Sequence, residues 1–290
     1  MIDLTQTFAD AGVTATFHAL DLSNGNEVAH HADELSITAS VFKLPVLLEL
    51  CRQVSEGEID GTTPRLVPVE NRSPGPNGLS VMQDPMTMSL RDLAWLMMGI
   101  SDNGATDVVC GHVGLDKVQA RLIELGLKDT FIGGDCRDLF ATMYEDAGAD
   151  SLAEVTQITW EVLAKLRAND PAQCLHRTTP RDITRLLRLI WDDEAAPADA
   201  CAEARRILGL QVWPHRLASG FPEDDIKTSG KTGTLPTLRN EVGVVEYPDG
   251  GRYAVACFTR ADSLKQKNPA ADAVIGRAAR LAVDALRTKA

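Results

Sequence analysis

The sequence lacks any apolar run long enough to span a bilayer. Its longest, around residues 93–100, falls far short of the roughly 18 residues a membrane helix needs. It also lacks a basic excess: Lys and Arg number 29 against 41 Asp and Glu, a net charge of −12 that repels phosphate backbones and anionic headgroups. Neither nucleic acid nor a membrane is therefore an expected partner. Met1-Ile2-Asp3-Leu4-Thr5 has neither the basic start nor the apolar stretch of a secretory leader, which sets the expectation of a cytoplasmic protein. Six cysteines (Cys51, Cys110, Cys136, Cys174, Cys201, Cys257) form no CxxC pair and the six histidines no HExxH. No metal site and no cofactor is expected, and the thiols read as buried and free. No repeat or low-complexity tract is present. What is there is ordinary globular material: 44% hydrophobic and 24% charged residues in a chain of 290, enough for one large domain.

Apolar-rich segments at residues 13–20 and 27–31 flank Ser23-Asn24-Gly25-Asn26, the pattern of a β-hairpin. Helical spacing then dominates, at residues 41–54, 90–100, 118–125, 182–191 and 201–208. Strand patterns return at 226–234, 241–247 and 252–259, the last two joined by Pro248-Asp249-Gly250-Gly251. A final helix starts at Asn268 as N-cap with Pro269 in its first position. Residues 64–85 and 132–150 read as irregular surface. Strands at both ends around a helical middle imply an α/β fold in one domain, 1–290. An antiparallel sheet lobe (1–38 and 212–290), flanked by helices, carries an inserted all-α lobe (39–211).

Three short motifs could carry chemistry. In Ser40-Val41-Phe42-Lys43, at a helix start, one turn places the hydroxyl and the amine on the same side, where a partly desolvated lysine can activate the serine. Alone, this also reads as a capping serine and a solvated lysine. Ser101-Asp102-Asn103 follows an apolar helix and doubles as a capping run for the next. In Lys231-Thr232-Gly233-Thr234, on a strand, Lys231 and Gly233 share one face and the threonines the other. Gly233 would admit a substrate close to the backbone, and an exposed strand edge offers N–H groups to an oxyanion. A phosphate-binding loop at Gly230-Lys231-Thr232 fails on spacing, because the earlier glycine it needs would fall at Asp225.

Together and in this order, the three are the SxxK, SDN and KTG elements of class A β-lactamases and penicillin-binding proteins, and the chain resembles the class A β-lactamase-like serine hydrolases. The segment Ser101-Asp102-Asn103-Gly104-Ala105-Thr106-Asp107 is similar to that family's stretch after SDN, and Thr178-Thr179-Pro180-Arg181-Asp182 to one of its helix starts. The resemblance implies a β-lactamase/transpeptidase-like fold with Ser40 as the acylated nucleophile and Lys43 as its base or relay. Ser101 would pass a proton to the leaving group, and Asn103 would hold the lysine and the substrate amide. Lys231 and Thr232 would bind a substrate carboxylate, and the N–H groups of Ser40 and Thr234 would hold the oxyanion. The partner implied is a small molecule bearing a carboxylate; the oligomeric state is not readable.

The chain departs from that pattern in several places. The family's ExxLN-type Ω-loop, whose Glu and Asn hold the hydrolytic water, has no counterpart. Asp135 and Asp138 stand at roughly the right distance, with Glu145 and Asp146 further on. Residues 150–176 read as an additional helix through Val155, Ile158, Val162, Leu163 and Leu166. After the KTG element come Leu235 and Pro236, and then Arg239, a candidate for bidentate pairing with a carboxylate. Three functions follow as expectations: a β-lactam or amide hydrolase; a cytosolic amidase, esterase or peptidase on the same scaffold; or a slowly deacylating penicillin-binding or sensor protein.

Overall fold

The computed structural model describes residues 2–70, 72–155 and 159–288. After a short helix α1 (Thr5–Ala9), strands β1 (Val13–Asp21) and β2 (Glu27–His30) form the expected hairpin. The Asp21 carboxylate ties down its turn, accepting from Ser23 and Asn24. A two-residue strand β3 (Ser36–Ile37) and a 3₁₀ turn (Ala39–Phe42) lead into helix α2 (Lys43–Ser55). Strands β4 (Pro64–Val67) and β5 (Met86–Ser89) pair with each other. Helices α3 (Leu90–Gly99), α4 (Asn103–Val113) and α5 (Leu115–Glu124) follow, then strand β6 (Phe131–Ile132) and helix α6 (Cys136–Ala147). Two one-turn helices come next, α7 (Leu152–Val155) and α8 (Trp160–Leu163), before strand β7 (His176–Thr178) and helices α9 (Pro180–Trp191) and α10 (Ala198–Leu208). Strands β8 (Lys227–Leu235), β9 (Leu238–Glu246) and β10 (Arg252–Ala261) and helix α11 (Pro269–Arg287) close the chain.

The main sheet is antiparallel, ordered β2-β1-β10-β9-β8, so strands from both chain ends build it. Its central strands are buried on both faces and alternate between two cores. Val242, Val244, Ala254 and Ala256 pack with the apolar faces of α2, α3 and α9. Val245, Val255 and Cys257 pack with Ala271, Val274, Ile275 and Ala278 of α11. That helix starts as its sequence dictates, with Asn268 accepting from the Ala271 N–H and proline in the first turn. Strand β8 is an edge strand, and its free side faces the candidate site.

Three expectations need correction. The middle of the chain is not helix alone, since β4/β5 and the pair β6/β7, which extends β3, lie within it. Residues 132–150 are not irregular: Asp135 and Asp138 form a reciprocal capping box that starts α6, and Leu139, Phe140 and Met143 bury its inner side. Residues 150–176 do not form one helix. Val155, Leu163 and Leu166 are all buried, but from separate short pieces, and Ile158 lies outside the described residues. No helix among the described residues is long and apolar enough to cross a membrane.

Candidate active site

The 3₁₀ turn puts Ser40 at the mouth of a cavity of about 500 Å³ and Lys43 directly beneath it, fully buried at the start of α2. The backbone is strained here: Ala39 sits at φ 46° and Ser101 at φ 62°, left-handed values unusual for residues with a side chain. The left-handed turn at Ser101 brings the SDN element back over Lys43. Lys43 Nζ donates to the Ser101 carbonyl at 2.9 Å, to Ser101 Oγ at 3.3 Å and to Asn103 Oδ1 at 2.8 Å. Those contacts account for all three donors of an ammonium group. Burial nevertheless holds the lysine below its ordinary basicity.

Asp102 does the capping that its position suggested. Its carboxylate accepts the Ala105 N–H to start α4, and also the Leu79 N–H. The second bond fastens the Pro74-Gly75-Pro76-Asn77 wall of the cavity to the helix, helped by Asn103 Nδ2 donating to the Pro74 carbonyl at 2.8 Å. Behind Asn103, the Cys136 thiol lies 3.5 Å from Oδ1 and is pushed up to about 12 by burial, so it stays protonated. Below Lys43, the Phe42 ring stacks on His176 at 4.1 Å, and burial lowers that imidazole to about 3, keeping it neutral.

The third element arrives on β8. Lys231 is fully buried, donates to the Thr232 carbonyl at 2.8 Å, and is held well below its ordinary value by burial and then by Lys43. Thr232 and Thr234 line the cavity on the opposite face. Gly233 does not make room for a substrate: a Cβ there would lie 2.6 Å from the Thr38 carbonyl oxygen and 3.3 Å from the Ser40 nitrogen, so it admits the chain's own Ser40 turn against β8. Asn240, buried on β9, fixes that turn from behind by donating to the Ile37 and Thr38 carbonyls.

This arrangement coincides with a match to the beta-lactamase enzyme family over residues 2–286. The chain belongs to that family. It is 31% identical, over 98% of its length and 96% of the relative's, to the "beta-lactamase regulatory protein BlaB" of Streptomyces cacaoi. Its fold is similar to that of a beta-lactamase from Sphaerobacter thermophilus, with TM-score 0.80 and 25% identity over 99% of this chain and 98% of the other. At 19% identity, with TM-score 0.76 over 98% and 97%, it shares the fold of PBP-A, a mutant of which is known as an acyl-enzyme complex with penicillin G.

Ser40, Ser101, Asn103, Thr232 and Thr234 line one cavity, and Lys43, Lys231 and Gly233 are buried against them. Arg239 reaches the cavity wall, but the residue is only 6% exposed and its guanidinium donates to the Leu235, Leu238 and Gln266 carbonyls. Asp135 and Asp138 do not reach the cleft. Each carboxylate accepts the other residue's backbone N–H in the capping box of α6. Among the described residues lining the cavity there is no Asp or Glu; the wall supplied by α6 and α7 is Phe140, Met143 and Val155.

One basic residue escaped the sequence reading. Arg216, 4% exposed, donates to the Gly233 and Asn240 carbonyls, to Thr234 Oγ1 at 2.9 Å and to Asp272 at 2.7 Å. It comes from an irregular segment with no periodicity or motif to single it out.

Proposed function

We propose that this beta-lactamase family protein is a serine hydrolase that β-lactams acylate at Ser40 and whose turnover is limited by deacylation. Lys43, in the neutral form that burial favours, takes the Ser40 proton as the oxygen attacks the lactam carbonyl. The backbone N–H groups of Ser40 and Thr234 receive the oxyanion. As the C–N bond breaks, Ser101 gives its proton to the leaving nitrogen and recovers one from Lys43, 3.3 Å away. A substrate carboxylate meets the Thr232 and Thr234 hydroxyls in the field of Lys231 and Arg216.

The observation that carries this reading is the contrast between the two sides of the cleft. On one side stand Ser40, Ser101 and the buried Lys43; among the described residues the facing wall offers Phe140, Met143 and Val155 and no carboxylate to activate water. A lasting acyl-enzyme suits reporting the presence of a β-lactam, and the regulatory role named for the Streptomyces cacaoi relative favours that use. The test is a chromogenic cephalosporin at high enzyme concentration. The expected trace is a burst of one equivalent per protein followed by a slow steady state. A linear trace with many turnovers and no burst contradicts deacylation as the limiting step.

A further inference from the structure

Directly opposite Thr232 in the β8/β9 ladder stands Glu241, 2% exposed, between Asn240 and Val242. Both its oxygens are taken: Oε1 accepts from Gln211 Nε2 and Oε2 from the Leu217 N–H, each at 2.6 Å. The side-chain oxygen of Gln211 in turn accepts the Thr232 N–H at 2.8 Å. The Gln211 amide can therefore point only one way, because Thr232 offers it a donor and the carboxylate offers it only acceptors. Outward N–H groups recur every second residue on an edge strand, so the Thr234 N–H shares this open edge with that of Thr232. Leu217 follows Arg216, which braces the same strand at Gly233 and Thr234.

We propose that Glu241 is a positioning residue for acyl transfer. Its carboxylate, acting through Gln211 and Leu217, fixes the β8 edge that presents Thr232 and Thr234, and its protonation releases that edge. The inference rests on Ser40 as nucleophile and Thr234 as oxyanion donor.

The hydrogen-bond inventory makes the switch. A carboxylate is all acceptor; a carboxylic acid must donate from one oxygen, yet both oxygens face donors. A flip of Gln211 to accept that proton would turn its NH₂ toward the Thr232 N–H. Protonation therefore weakens one of the ties that run from Glu241 to the β8 edge, through Gln211 or through Leu217. Burial pushes the carboxyl up to about 7, against the pull of Arg216 from the preceding loop and Lys231 from the other face of β8. Cys257, opposite on β10, is raised by burial and stays neutral in this range.

The experiment has two readouts on the full chain, in wild type, Glu241→Gln and Gln211→Ala. Without substrate, the backbone amide resonances of Thr232 and Leu217 are followed across pH; they should titrate together in wild type with a midpoint near 7 and be flat in Glu241→Gln. With penicillin G, the single-turnover acylation rate of wild type should fall about tenfold from about pH 8 to about pH 6 with the same midpoint. Glu241→Gln should be about tenfold slower at about pH 8 and lack that limb, and Gln211→Ala, at a half-buried position, should reproduce both effects should Glu241→Gln fold poorly. An acidic limb that survives in both variants overturns the positioning role and assigns the limb to Lys43 or Lys231, while leaving Ser40 as nucleophile. Titrating amides with no acylation at any pH overturn the Ser40 reading and, with it, the role in acyl transfer.

Discussion

Gly233 and Thr38 meet where β8 crosses the nucleophile turn, the Thr38 carbonyl oxygen lying 2.6 Å from where a Gly233 side chain would begin. No real Cβ tolerates such a contact with backbone, so Gly233→Ala must push Ser40 away from the Thr234 N–H. Acylation should drop at least about a hundredfold, with a stability loss of about 1–3 kcal/mol. Normal acylation by Gly233→Ala in a stopped-flow assay would show that the two donors need not be held together.

Lys43→Ala removes the base while leaving the Ser101 carbonyl and Asn103 Oδ1 without their donor. Acylation by penicillin should slow by about a thousandfold or more, and denaturant unfolding should register a loss of about 1–3 kcal/mol. A variant that acylates at the wild-type rate would move the base elsewhere.

Cys136 is a position from which a carboxylate on α6 could reach Lys43, since its sulfur lies 3.5 Å from the Asn103 oxygen that holds the lysine. Cys136→Glu should shorten the lifetime of the acyl-enzyme about tenfold or more without faster acylation. Adduct decay unchanged from wild type would place the limitation outside water activation.

Asp107, one turn beyond Asn103 on α4, accepts the Cys136 N–H at 2.9 Å and is pushed up by burial from 3.8 to about 6. Its proton is held more tightly in the folded chain than in the unfolded one. The resulting stabilisation is full below about pH 3.8 and is lost as pH rises through about 6. The lowered lysines Lys43 and Lys231 contribute a slope of opposite sign, so the difference between wild type and Asp107→Asn isolates the carboxyl. That difference should change by about 1–3 kcal/mol across the window when Tm is followed against pH. A pH-independent difference would contradict the raised value.

The residues brought together around Ser40 were legible because each motif is local. Three-residue spacing at Ser40 and Lys43, the tight Ser101-Asp102-Asn103 stop, and strand alternation at Lys231 and Thr232 fix side-chain directions within a turn or a pleat. The sheet was legible from its turns, and the start of α11 from Asn268 and Pro269. Helix α6 was missed because the glycines and aspartates of residues 133–138 look like loop. The signal lay in the Asp135/Asp138 capping pair followed by Leu139, Phe140 and Met143 at helical spacing. Arg216 and Gln211 could not be read at all: they act through contacts with β8 and β9 made by a segment without periodicity. Glu241 left no trace that separates it from Arg239, Asn240 and Glu246 of the same strand.

A covalent intermediate on Ser40 shows itself in intact-protein mass spectrometry after mixing with penicillin G. Wild type should carry a one-to-one adduct that persists over many minutes and is absent in Ser40→Ala. An adduct that forms equally in Ser40→Ala, or no adduct alongside measurable hydrolysis, would contradict it.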